Sequence, residues 1–219
     1  MSRMFAEDHR KLQDLFGTRA MADYLEATDF RETIDEASKR FIEGRDMVFL
    51  ATLDREYRPT VSYKGGDPGF LKVPDPRTVL FPSYDGNGMY LSTGNIDGQS
   101  QVGMLFIDFE VPRRLRLQGM ATVSDDPALT GLWKEAQLAI RVSVTGLWVN
   151  CPRYVHRYRK VKASRHVPRR DGDTPFAGWK RIDTMSTVLN EQERAEVDRL
   201  GPVTEEEWIA MVDAGDEDA

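Results

Sequence analysis

The chain of 219 residues carries one cysteine, Cys151. A single thiol excludes intrachain disulfides and any cysteine-rich zinc site. Its three histidines, His9, His156 and His166, are scattered, with no HExxH pair and no Asp-rich loop beside them. A resident metal therefore has no support. There is no GxGxxG, no P-loop and no GxSxG, so dinucleotide, NTPase and serine-hydrolase folds have none either. No stretch approaches the roughly 18 continuous apolar residues of a membrane span. The N-terminal MSRMFAEDHRKLQDLF is charged throughout, unlike a signal peptide. The expected location is a reducing cytoplasm.

Lys plus Arg number 30 and Asp plus Glu 36, for a formal charge of −6. That balance opposes general nucleic-acid binding, which needs cations against phosphate. The charge is unevenly spread. Residues 151–170 hold eight bases and no acid, whereas residues 203–219 hold seven acids and no base. A basic strip inside an acidic chain suggests a local anion site or a self-complementary contact. An apolar share of 40% with 30% charged residues fits a folded globular chain.

Residues 4–45 read as helical. Leu12, Leu15 and Phe16 fall at helical spacing, as do Phe30, Ile34, Ala37, Phe41 and Ile42. Thr33 and Glu36 form a capping-box pattern, and Gly44 can end the helix. The texture then turns extended. MVFLATL (47–53), a polar turn and TVSYK (60–64) carry the signature of a hairpin. FLKV, TVLFP and MYLST follow as short runs between turns. VGMLFIDF (102–109) is the most hydrophobic strand candidate. RRLRLQGMATVS (113–124) alternates basic and apolar residues from Arg114 to Leu117. PALTGLWKEAQ (127–137) has the look of a helical crossover and LAIRVSVTGLWVN (138–150) of a long strand. VTEEEWIAMV (203–212) predicts a last helix with Thr204 as N-cap and three glutamates in its first turn.

Six or seven strands with hairpin-like links do not alternate with helices as a parallel sheet requires. The fold class expected is mainly β with helical additions: an antiparallel barrel behind N-terminal helices, closed by a C-terminal helix. The expected organisation is a helical segment over 1–45, a barrel core over 46–160, and a C-terminal extension over 161–219. That extension is expected to pack on the barrel and end in an acidic tail.

The chemistry concentrates in two stretches. In RPTVSYKGG (58–66), Ser62 and Lys64 stand two apart on a strand and so share a face. Gly65 and Gly66 would permit close approach of the backbone to a ligand. PSYDGNGMYLSTGN (82–95) adds hydroxyls, amides and glycines that can present N–H groups to an anion or a flat heterocycle. The plainer reading is that both are hairpin turns, since Asp-Gly and Asn-Gly are the commonest hairpin dipeptides.

The run PTVSYKGGDPGFLKV, RTVLFPSYDGNGMYLSTGNI, VGMLFIDFEVPRRLRLQGMATV and NCPRYVHR resembles the pyridoxamine 5′-phosphate oxidase-like flavoproteins, over about residues 40–158. The resemblance implies a split β-barrel homodimer holding FMN in clefts between its subunits. It implies flavin contacts from Ser62, Tyr63 and Lys64, from Pro82 and Ser83, and from Asn87, Gly88, Met89 and Asn95. Arg153 would reach across the dimer. Met89, Tyr90 and Leu91 stand near where the founding oxidases carry an Arg–Lys pair for the phosphate, so Lys64 or a basic residue of the partner would substitute. No catalytic side chain is assigned, because in such sites the cofactor carries the redox chemistry. The function implied is an FMN-dependent oxidoreductase acting on a small organic substrate. The alternatives are a non-catalytic flavin-binding or storage protein, or the same barrel with haem or a deazaflavin. The founding oxidase activity does not carry over, since its substrate-binding Arg and His have no clear match.

Overall fold

The computed structural model describes residues 2–218. They fall into two compact units, one running to Lys162 and one starting at Ala163.

The first unit opens with three helices, α1 (Glu7–Leu15), α2 (Arg19–Asp29) and α3 (Glu36–Glu43). Gly17 takes φ +65° between α1 and α2, a left-handed turn that glycine adopts at little cost. The capping pattern at Thr33 is not the one used. Asp35 caps α3, its carboxylate accepting from the Ser38 N–H at 2.7 Å. Asp35 lies next to the first helical residue, so its short carboxylate reaches the open N–H groups that Thr33 cannot.

Seven strands follow: β1 (Met47–Leu53), β2 (Pro59–Gly65), β3 (Lys72–Asp75), β4 (Thr78–Ser83), β5 (Gln101–Asp108), β6 (Arg113–Ser124) and β7 (Leu138–Asn150). They form one antiparallel sheet in the order β2-β1-β5-β6-β7-β4-β3. No ladder joins the end strands β2 and β3, so the barrel is split. The fold is mainly β with helical additions, as the pattern predicts. Strand alternation places Val48 and Leu50 of β1, Phe106 of β5, Leu115 and Leu117 of β6 and Leu147 of β7 in the interior. Arg116 and Gln118, which alternate with Leu115 and Leu117 on β6, face outward. At roughly 1.5–3 kcal/mol for each fully buried large apolar side chain, this face is the main driving force of the fold.

Two helical expectations need correction. MYLST (89–93) does not extend as a strand; Leu91–Gly98 forms a helix, α4. Only Pro127–Thr130 of the expected 127–137 crossover is helical, a single turn (α5) capped by Asp126. The second unit contains α6 (Glu191–Leu200), which the periodicity did not reveal, and α7 (Glu205–Ala214). Thr204 caps α7 as predicted, its hydroxyl accepting from the Glu207 N–H at 3.2 Å.

The longest ladder, β6 with β7, contains one irregularity. Gln118 pairs with Gly146 and Gly119 with Val144, so Thr145 is an extra residue on β7. Such a bulge sharpens the local twist. Gly119 faces it, and a Cβ there would stand 2.5 Å from Val142 Cγ1 and 2.6 Å from the Ser143 carbonyl oxygen. Backbone cannot yield that distance cheaply. Gly119→Ala is therefore expected to destabilise the protein by about 1–3 kcal/mol. That loss lowers the melting temperature by several degrees in a thermal unfolding scan.

Candidate functional site: the β2 edge and the start of α4

β2 is an end strand with one paired edge. Its residues lie opposite those of β1: Thr60 on Thr52, Ser62 on Leu50 and Lys64 on Val48. Directly opposed residues share a face. Thr52, Leu50 and Val48 are all at most 1% exposed. Ser62 and Lys64 therefore point to the interior side, as their spacing predicts, and both are half-buried. Tyr63 points the other way. It is 62% exposed and packs edge-on against Phe49, with ring centroids 6.2 Å apart.

Helix α4 lies over this face. The Asn95 amide donates to the Thr52 hydroxyl at 3.0 Å and to the Thr60 hydroxyl at 3.3 Å. The Ser62 and Ser92 hydroxyls are 2.8 Å apart. Residues 92 and 95 stand one turn apart on one side of the helix. Their partners Ser62 and Thr60 run back along β2. The amino end of α4 consequently points toward the Lys64 end of the strand, and its positive dipole and open N–H groups with it. Tyr90, just before the helix, takes φ +48°, a left-handed conformation unusual for tyrosine. Its hydroxyl donates to Gln137 Oε1 at 2.8 Å, and the Gln137 N–H donates to the Ser83 carbonyl at 3.0 Å. The loop from Ser83 to Tyr90 is thus tied at both ends.

Lys64 is the chemically unusual group. Burial pushes its ammonium below the ordinary value of 10.5, with no opposing acid. Among the described residues no carboxylate pairs with it. The folded chain thus holds this proton less tightly than the unfolded chain, and its contribution to stability grows as pH rises toward 10.5. A half-buried cation without a counter-ion, beside two hydroxyls and a helix amino end, is suited to an anion.

The other expected residues are placed differently. Pro82 is buried and Ser83 half-buried, opposite Ala139 and Leu138. Asn87, Gly88 and Met89 form an exposed turn in which Asn87 Oδ1 accepts from the Met89 N–H at 3.1 Å, with Gly88 at φ +73°. Asn95 is 8% exposed and its amide is spent on two threonines, so it seats α4. Gly66 offers a ligand no approach, since a Cβ there would lie 2.4 Å from the Phe70 ring. Arg153 sits in an exposed turn after β7, at the opposite end of that strand from the Leu138–Ser83 pairing. The full thirteen-residue length of β7 therefore stands between them within one chain. None of the ten residues lines the cavities of about 390 Å³ over β1, β5 and β6 or about 210 Å³ beside α3. Sequence reasoning missed Ser92, Thr52 and Thr60. The only available signal was the polar 92–95 stretch, legible as the inner side of a helix once a helix was assumed.

The model of the family described as pyridoxamine 5′-phosphate oxidase matches residues 34–172, well over half of the chain. The chain belongs to this family. Solved structures with a similar fold include HupZ from Group A Streptococcus, at 18% identity. That alignment covers 53% of this chain and 93% of HupZ, with a TM-score of 0.44. The heme storage protein HutZ from Vibrio cholerae is 20% identical, over 53% of this chain and 94% of its own, with a TM-score of 0.38. An FMN-binding protein from Syntrophomonas wolfei is 9% identical, over 65% of this chain and 96% of its own, with a TM-score of 0.40. A search of the curated proteins finds no match. Within this pyridoxamine 5′-phosphate oxidase family member, no helix among the described residues is long and apolar enough to cross a membrane.

The seating of α4 can be tested apart from any ligand. Asn95→Ala removes the hydrogen bonds to the Thr52 and Thr60 hydroxyls, which keep only each other, and opens a small void. A loss of about 1–3 kcal/mol in urea unfolding of the ligand-free protein is expected. An unchanged unfolding midpoint would show that Asn95 does not hold the helix.

Proposed function

We propose that this chain is an FMN-binding oxidoreductase that acts on a small organic substrate as a homodimer, with residues 46–160 as its flavin-binding core. The observation that carries the reading is the half-buried, acid-free Lys64 beside the Ser62–Ser92 pair at the amino end of α4. These donors suit the phosphate of FMN: a cation, hydroxyls and open helix N–H groups. When bound, the flavin ring supplies the redox chemistry. The chain's own task is then to bind and orient. Lys64 and Ser62 would hold the phosphate end. Tyr63 would add contact at the strand edge. Pro82 and Ser83, with the Asn87–Met89 turn, would border the ring. Arg153 would come from the partner subunit, since within one chain it lies across the sheet from Ser83.

The dimer reading has its own support. Val61, Tyr63 and Met120 share the outward sheet face and are 68%, 62% and 42% exposed. An apolar face of this kind is suited to a twofold copy of itself. Light scattering should give about twice the 25.0 kDa chain mass. A stable monomer with flavin fully bound would remove the partner from the site.

The purified protein should be yellow, and the ligand released on denaturation should have the mass of FMN. FMN should bind more tightly than riboflavin. Lys64→Ala should weaken FMN binding by about ten- to a hundredfold, as loss of a charge-assisted contact implies. The same substitution should leave the melting temperature of the flavin-free protein nearly unchanged. Equal affinities for FMN and riboflavin would show that Lys64 does not hold the phosphate. Reduction of the bound flavin by a nicotinamide cofactor, with turnover on an acceptor, separates an enzyme from a flavin store.

A further inference from the structure

Apart from Arg153, the motifs RRLR and NCPRY are not used at the β2–α4 site. In the fold they converge elsewhere. Arg113 and Arg114 open β6, Asn150 ends β7, and Arg114 pairs with Asn150 across the ladder. Helix α3 and the residues before it complete a cavity of about 210 Å³. Its floor is apolar, formed chiefly by Phe41, Leu115 and Val149. Its charged lining is lopsided: Arg31, Arg113 and Arg114 against one carboxylate, Asp35.

That carboxylate is already engaged. Asp35 accepts from the Ser38 N–H at 2.7 Å and pairs with Arg31 Nη1. The Ser38 contacts hold its carboxyl below the usual carboxylate range, so it remains an anion. Arg113 lies over the Phe41 ring at 5.2 Å, and Arg45 at 4.6 Å. Arg45 is matched by Asp108 at 2.8 Å. Arg114 spends Nη2 on the Cys151 carbonyl. Nε of Arg31 and Nε of Arg114 are both buried and without an acceptor. A buried N–H on a cation, lacking an acceptor, costs more than most unmet polar groups. An anion entering the cavity would supply the acceptor and offset the excess charge.

We propose that this cavity binds a small organic carboxylate with a compact apolar body, its carboxylate on Arg31 and Arg114 and its body on Phe41, Leu115 and Val149. The size agrees, since a cavity of about 150 Å³ holds a benzene ring. Inorganic phosphate would satisfy the guanidinium groups but leave the apolar floor wet. This inference goes beyond the flavin reading and does not rest on it.

Benzoate titrated into the full chain, flavin-free and FMN-saturated, tests it by the methyl NMR shifts of Leu115 and Val149. Benzoate should bind saturably in both forms, and neutral benzamide at least about tenfold more weakly. Arg114→Gln should weaken benzoate about tenfold or more, while Lys64→Ala leaves it unchanged. If Arg114→Gln does not fold, Arg31→Gln makes the same comparison. Equal affinity for benzoate and benzamide overturns the proposal, as does absence of saturation below about 10 mM. Loss of benzoate binding on FMN saturation also overturns it and makes the cavity part of the flavin cleft.

Discussion

The β6–β7 ladder runs from the Arg114–Asn150 pair to the Ser124–Ala139 pair, and the two halves of the sheet meet only there. β5, β1 and β2 hang from one side of it, β4 and β3 from the other. The bulge at Thr145 increases the twist at the middle of this ladder. Without Gly119 opposite, the two strands could not close on one another at that point. The curvature that makes a split barrel out of one sheet therefore depends on a position without a side chain.

That curvature fixes where α4 can lie. The helix is short, its hydrophobic share is small, and four of its buried residues, Ser92, Thr93, Asn95 and Ile96, are mostly polar. Apolar burial alone would seat it weakly. Hydrogen bonds to Thr52, Thr60 and Ser62 provide the specificity instead, because a buried amide or hydroxyl tolerates few alternative positions. The result aims the amino end of the helix at Lys64. The lysine is then desolvated by its surroundings but given no acid, an arrangement that stability alone would not select.

Cations are distributed in the same manner at the other end of the β6–β7 ladder. Several arginines of the first unit sit in ion pairs, among them Arg45 with Asp108, Arg19 with Asp14 and Arg58 with Asp54. Lys160, from the basic strip, pairs with Asp46 at 2.6 Å. Much of the uneven charge seen along the chain is thus neutralised locally. What stands out against that background is Lys64, together with the arginines around α3, where cations exceed carboxylates.

The sequence by itself determined the sheet. Alternation from Arg114 to Leu117, the apolar run at 102–109 and the paired runs about Arg55–Arg58 each specify a strand, because side-chain period and turn chemistry are local properties. The same holds for the Thr204 cap and for Ser62 and Lys64 sharing a face. Tertiary structure decided the rest. Leu91–Gly98 became a helix because two of its polar side chains, Ser92 and Asn95, find partners on β1 and β2, and those partners lie 30 to 43 positions away in the chain. Asn95 turned inward for that reason, and Gly66 was taken by the Phe70 ring. The meeting of Arg31, Arg114 and Asn150 at one cavity follows from the β6–β7 register and the course of α3. Local patterns carry no information about distant partners, so no reading of residues in isolation could have placed these groups together.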